Sequence, residues 1–109
     1  MEHNMNLVPW AYEEVKSGRK DIEVRLNDEK RQKMNVGDII VFTNTETGEQ
    51  LKAQIVERHL FDTFEELFNT FNHTRIGVKE TDTAEIMNNF YSKEDQETYK
   101  ALGLEIKLI

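Results

Sequence analysis

Residues 18–25 hold an unusual density of side chains that can do chemistry, in the order Gly-Arg-Lys-Asp-Ile-Glu-Val-Arg. The guanidinium of Arg25 can bind a carboxylate or a phosphate through two parallel hydrogen bonds. The carboxylate of Glu23 can accept from the exocyclic amine of a nucleobase or act as a general base. Lys20 can hold an anion or, once desolvated, act as a base or nucleophile. On spacing alone, a plain ion pair of Glu23 with Arg25 or with a neighbouring strand is the simpler interpretation.

The charge of the chain is unevenly distributed. Its net charge is −7, which does not favour binding to the phosphates of a long duplex. Residues 16–33, however, hold seven basic and four acidic side chains, so this segment carries +3 against −10 for the rest. It is either a solvated face of mixed ion pairs or an electropositive rim for one small anion or a few phosphates. Lys30 and Arg31 are candidates for such a rim.

Local patterns predict how these side chains are positioned. Pro9 suits the first position of a helix and a glycine follows its end, so a helix is predicted over residues 9–17. Residues 21–26 alternate between polar and apolar side chains, which predicts a strand. Glu23 and Arg25 lie on its polar face. The other face carries the apolar side chains Ile22, Val24 and Leu26.

Trp10, in the first turn of the predicted helix, has two interpretations. It can anchor the helix to the body of the protein, because tryptophan is highly buried on average. Alternatively, it can stack on a base at the mouth of a cleft. The second interpretation makes Trp10 a candidate ligand-binding residue beside Lys20, Glu23 and Arg25.

The rest of the chain combines short strands with short helices. Apolar runs and period-two alternation predict strands at residues 5–7, 39–42, 51–60 and 104–108. The residues Thr63, Asp82 and Ser92 can each cap a helix. The helix after Asp82 is expected to bury Ile86, Met87 and Phe90. We predict an α+β fold for a single domain of residues 1–109: a small, mostly antiparallel β-barrel of five or six strands with helices packed on it.

The composition argues against several classes of chemistry. The chain has no cysteine, which rules out disulfides, zinc–thiolate sites and cysteine nucleophiles. Its three histidines are far apart and in no ligand spacing, so neither a metal nor a cofactor is expected. No apolar run approaches the ~20 residues of a membrane span, and no signal peptide is recognisable. We therefore expect a cytoplasmic protein with no membrane partner.

The order of motifs along the chain resembles the ASCH family of the PUA-like superfamily. The motifs are G-R-K-x-I-E-V-R, G-D-I-I-V-F, F-x-x-F-E-E-L-F, F-Y-S-K-E and L-E-I-K-L, and the resemblance spans Leu7 to Leu108. It implies a PUA-like barrel with a cleft lined by the signature residues, here Lys20, Glu23 and Arg25. Relatives commonly place Tyr-Gly before the last strand, whereas this chain has Tyr99 followed by a lysine, an alanine, a leucine and only then a glycine.

One branch of the family consists of acetylcytidine amidohydrolases. Their lysine corresponds to Lys20, but their catalytic threonine falls at Glu23. Their catalytic glutamate follows the second helix, where a loose alignment places Asn72. Two of the three catalytic positions therefore differ in this chain, which counts against the same reaction.

The family resemblance also implies binding of RNA, nucleotides or modified nucleosides. Combined with the basic segment, it predicts a short single-stranded RNA or a nucleotide as the partner, bound weakly at physiological salt because few phosphates are engaged. One alternative is a small hydrolase acting on RNA or on a modified nucleoside such as acetylcytidine, with Lys20 and Glu23 as catalytic residues. The other is an adaptor whose basic rim docks an acidic protein.

Overall fold

The computed structural model of the protein describes residues 1–109. The strands are β1 (Glu2–Leu7), β2 (Ile22–Leu26), β3 (Ile39–Asn44), β4 (Gln50–Phe61) and β5 (Ala101–Leu108). The helices are α1 (Pro9–Lys16), α2 (Glu29–Gln32), α3 (Phe64–Thr70), α4 (His73–Ile76) and α5 (Lys93–Tyr99), and a 3₁₀ helix spans Ala84–Asn89.

The five strands form one sheet in the order β1-β3-β4-β5-β2. β1 runs parallel to β3, and the other three strand pairs are antiparallel. The sheet curls into a half-barrel whose edges are β1 and β2, and helices pack on it. The predicted α+β fold with a mostly antiparallel sheet is confirmed, with five strands, and the curl leaves the half-barrel open between its two edge strands.

Strand β2 is covered on both faces. Ile22 and Leu26 belong to a small core formed with α3, α4 and the 3₁₀ helix. Glu23 lies opposite Leu104 of β5, and Leu104 belongs to the larger core that joins α1 to the other four strands. Opposite residues of antiparallel strands share a face of the sheet. The polar face of β2 therefore turns toward the interior of the half-barrel and away from solvent.

Local capping signals predict most helix starts correctly. α1 begins at Pro9, as expected. Thr63 caps α3, because its Oγ1 accepts from the backbone N–H of Glu66 at 3.2 Å. Ser92 caps α5 in the same way, with the N–H of Asp95 at 3.1 Å. None of the helices has the length and apolar character that crossing a bilayer requires.

The helix predicted after Asp82 is a 3₁₀ helix, and Asp82 does not cap it. The carboxylate of Asp82 instead accepts from the backbone N–H of Lys79 at 2.8 Å, which closes a turn before the helix. Met87 is buried as predicted, whereas Phe90 is 71% exposed. The helix ends before Phe90, so this residue cannot continue the buried stripe.

Candidate functional site

A cleft of about 390 Å³ opens where the half-barrel is incomplete, and we call it the seam cleft. Both edge strands line it: Asn6 and Leu7 of β1 on one side, and Glu23 and Arg25 of β2 on the other. Residues of α4 and of the 3₁₀ helix complete the wall. Twelve of its 18 lining residues are hydrophobic, a balance typical of sites that bind small organic ligands.

Lys20, Glu23 and Arg25 all line the seam cleft, and both cations contact Glu23; we call these three residues the charged cluster. Glu23 Oε1 accepts a hydrogen bond from Arg25 Nε at 3.1 Å. Glu23 Oε2 lies 3.2 Å from Lys20 Nζ. The two groups form an ion pair without a hydrogen bond, so Oε2 is left without a hydrogen-bond partner. Two cations thus flank one carboxylate, which leaves the cluster with a net positive charge.

The Lys20–Glu23 ion pair is buried, with 8% of Lys20 and 3% of Glu23 exposed. The third buried polar residue, Asn44, has a structural role, because its side-chain oxygen accepts from two backbone N–H groups of the β3–β4 turn. Removing an ion pair from water costs several kcal/mol per ion, and the mutual attraction of the ions often does not offset that cost. The pair is therefore a poor source of stability.

Helix α4 fixes the start of β2, where the charged cluster begins. Asp21, beside Lys20, accepts hydrogen bonds from Arg75 Nε at 2.8 Å and from its Nη2 at 3.2 Å. These bonds raise the pKa of Arg75 above its ordinary value. The Arg75 guanidinium also lies 5.4 Å from the centre of the Phe71 ring. With α4 held in this way, Gly77 at its end packs against the aliphatic stem of Lys20.

Trp10 lines the seam cleft and is 62% exposed. The interpretation of Trp10 as the anchor of the first helix is therefore wrong. Ala11, Tyr12 and Val15 form the buried face of α1 instead. The indole is free to contact a molecule in the cleft.

The structure does not bring Lys30 and Arg31 to the seam cleft, because neither residue lines it. Both lie on α2, where Arg31 Nη1 donates to the capping residue Asp28 at 2.9 Å. Lys30 Nζ donates to the backbone carbonyl of Asn4 at 3.5 Å. The two side chains that the sequence placed on the rim therefore contact the cap of α2 and strand β1.

Most cations of residues 16–33 are paired with acids. Beyond the charged cluster and Arg31, Arg19 donates to Glu14 at 3.0 Å, and Lys16 lies 3.9 Å from Glu49. A solvated face of mixed ion pairs thus describes this segment better than an electropositive rim. Arg25 is an exception within the cleft, since only its Nε is engaged and its two terminal amino groups have no partner.

Sequence reasoning missed the contribution of residues 76–90 to the cleft wall. Ile76 is the last residue of α4, Gly77 and Val78 follow it, and Met87 and Phe90 come from the 3₁₀ helix and the residue after it. The only sequence signal was a glycine at the end of a short helix. No local pattern indicates that these residues meet β2.

The lining of the seam cleft contains no serine, threonine, cysteine or histidine. Asn72 lies outside it and caps α4, where its Oδ1 accepts from the backbone N–H of Thr74 at 2.9 Å. The cleft therefore has no threonine in place of the catalytic threonine of the acetylcytidine amidohydrolases. The position aligned with their catalytic glutamate, Asn72, lies outside it. The cleft offers no aliphatic hydroxyl or thiol nucleophile.

An open half-barrel of five strands with helices packed on it defines an α+β domain of the PUA-like type. The family model for the ASCH domain matches residues 5–109, so the chain belongs to the ASCH domain family.

Two solved structures are similar to this chain along its whole length. The crystal structure of the hypothetical protein PH0355 superposes with a TM-score of 0.85 at 30% sequence identity, covering 100% of both chains. The solution NMR structure of protein PF0455 from Pyrococcus furiosus has a TM-score of 0.79 at 28% identity, covering 100% of this chain and 98% of that one. Among curated proteins, none matches the chain.

Proposed function

We propose that this protein binds a short single-stranded RNA or a nucleotide in the seam cleft. The observation that carries the proposal is the buried Lys20–Glu23 pair in a cleft whose wall is mostly apolar. Membership of the ASCH family, which is associated with RNA binding, supports the same class of ligand.

Arg25 is the residue best placed to contact a phosphate. Its side chain is partly exposed, and Glu23 holds the guanidinium through Nε alone. The two terminal amino groups remain available for a bidentate contact with phosphate oxygens. Glu23 thus orients the guanidinium, and Arg25 supplies the anion contact.

The charge distribution limits the ligand to a short one. The chain is acidic overall, and most of its basic segment is already paired. The charged cluster has one positive charge in excess, and Asp82 also lines the cleft, so about one phosphate can be neutralised, which gives a shallow salt dependence. A long duplex would have to lie against the acidic remainder of the surface.

The test is a titration of fluorescent single-stranded RNA oligonucleotides at about 50 and about 200 mM salt. The Arg25→Ala variant should bind roughly tenfold or more weakly, because a charge-assisted hydrogen bond is lost. The matched control is Arg31→Ala, which removes the same charge outside the cleft and should leave the affinity within about twofold. Raising the salt should weaken wild-type binding by less than about tenfold.

Equal losses in the Arg25 and Arg31 variants would show that charge alone, and not the seam cleft, holds the RNA. Absence of binding together with turnover of acetylcytidine in a parallel assay would favour the hydrolase alternative. Binding to an acidic peptide but to no RNA would favour the adaptor alternative.

A further inference from the structure

Two large aromatic side chains line the seam cleft without being buried. Trp10 is 62% exposed and Phe90 is 71% exposed. They come from distant parts of the chain, α1 and the residue after the 3₁₀ helix. Exposed aromatic rings that line one cleft contribute little to folding, and exposed apolar groups of this kind commonly mark binding sites.

The charged and the aromatic side chains of the cleft also differ in how much of each is exposed to solvent. Lys20 and Glu23 are almost inaccessible, whereas Trp10 and Phe90 are open to solvent. The charged groups therefore lie deep in the cleft and the aromatic rings lie at its mouth. A volume of about 390 Å³ is at the small end for ligand pockets, which suits one nucleotide, so the rest of a bound RNA strand would lie outside the cleft.

From this arrangement we infer that Trp10 and Phe90 receive one unpaired nucleobase by stacking, and that Phe90 determines specificity for a planar base over the ribose phosphate alone. The inference rests on the proposed function and names the part of the ligand that the cleft recognises. A base offers a flat π-surface to an aromatic ring only when it is unstacked and unpaired. Arg25 would then contact the attached phosphate.

The chain contains a single tryptophan, so its fluorescence reports directly on the mouth of the cleft. The probes are adenosine 5′-monophosphate and ribose 5-phosphate, which share the phosphate and differ in the base. Binding of each is followed by the fluorescence of Trp10 and by calorimetry. The variants are Phe90→Ala, the conservative Phe90→Tyr, and Leu60→Ala as the matched control, because Leu60 is 59% exposed and lies outside the cleft.

Adenosine monophosphate should change the Trp10 fluorescence, and ribose 5-phosphate should bind roughly five- to a hundredfold more weakly. Phe90→Ala should weaken binding of the nucleotide by a similar factor, while Phe90→Tyr and Leu60→Ala should bind as the wild type does. Because Phe90 is exposed, its variants should unfold at the temperature of the wild type.

The inference fails if Phe90→Ala binds the nucleotide with unchanged affinity, or if ribose 5-phosphate binds as tightly as the nucleotide. If Arg25→Ala nevertheless weakens binding of the RNA oligonucleotides, the proposed function stands and only the role of Phe90 is wrong. If the wild-type protein binds neither the oligonucleotides nor the nucleotide, both proposals fail.

Discussion

The side chain of Lys20 crosses Gly77 so closely that a Cβ at residue 77 would lie 2.6 Å from Lys20 Cδ. Favourable carbon–carbon contacts lie at about 3.5–4.0 Å, so no side chain fits there unless Lys20 moves. Gly77 also ends α4 with a φ of 74°, a conformation that favours glycine. One residue therefore both terminates the helix and lets the stem of Lys20 pass toward Glu23.

Gly77→Ala should weaken nucleotide binding as well as stability. The left-handed backbone costs an alanine about 1–2 kcal/mol, and the clash additionally displaces Lys20 from Glu23. Gly48→Ala is the matched control, because Gly48 has a φ of 76° but nothing within 4 Å of its added Cβ. Urea unfolding and nucleotide titration of both variants measure the two effects. Unchanged binding by Gly77→Ala would mean that the position of Lys20 does not matter for the ligand.

Removing the two partners of the buried ion pair should have unequal effects on stability. Glu23→Gln leaves the buried Lys20 without a negative partner and should cost about 3–5 kcal/mol. Lys20→Met should cost less, because Glu23 keeps its hydrogen bond from Arg25. Urea unfolding compares the two variants. A larger loss for Lys20→Met would show that the Arg25 contact does not support the carboxylate.

Lys100 lies between α5 and β5, and its φ is 71° with a ψ of 179°. This region is almost confined to glycine, and other residues are strained there by about 1–3 kcal/mol. Lys100→Gly relieves this strain but also makes the unfolded chain more flexible, which opposes folding. The net result should be a stabilisation of about 1 kcal/mol. Denaturant midpoints measure the gain, and Lys100→Ala, which keeps the strain, should show none.

Asp38 should make stability fall at acidic pH. Its pKa lies below the ordinary value of 3.8, because His3 Nε2 lies 2.8 Å from the carboxylate and the backbone N–H of Asn35 also donates to it. The Asp38 carboxylate therefore binds a proton more readily in the unfolded chain than in the folded one. Its contribution to the free energy of unfolding is present above about pH 4 and is lost as the pH falls through the pKa of Asp38 in the folded protein. In thermal unfolding, the melting temperatures of the wild type and of Asp38→Asn should converge as the pH falls below about 4.

The control for this pH dependence is Asp62→Asn, since Asp62 is exposed and makes no side-chain hydrogen bond or salt bridge. Its unfolding curve should follow that of the wild type across the same range. If the melting temperature of Asp38→Asn falls with decreasing pH as steeply as that of the wild type, the contacts of Asp38 do not cause the loss of stability in acid.

The sequence predicted β2 and the spacing of Glu23 and Arg25, but it did not predict which way the polar face turns. Alternation in a strand distinguishes two faces without saying what covers each. Here the apolar face packs on helices, while Glu23 shares the interior face with Leu104. Burial of the charges comes from the curl of the sheet, which depends on contacts between β2 and β5 at the far end of the chain.

The errors around the cleft have physical causes that local patterns do not contain. Phe90 fits an apolar stripe of helical spacing, yet the helix is of the 3₁₀ type and ends one residue earlier. Lys30 and Arg31 belong to a basic segment, yet neither residue lines the cleft, and Arg31 pairs with Asp28. Capping residues such as Thr63 were predictable, because their hydrogen bonds span only three residues.

The most direct measurement of nucleotide binding in the seam cleft is a map of amide chemical-shift changes in isotope-labelled protein titrated with adenosine 5′-monophosphate. The largest changes should fall on residues 20–25, 76–78 and 87–91 and on the indole of Trp10. The β3–β4 turn at residues 44–50, which lies outside the cleft, should not change. Changes confined to that turn or to α2, or no change at saturating nucleotide, would contradict the assignment of the binding site.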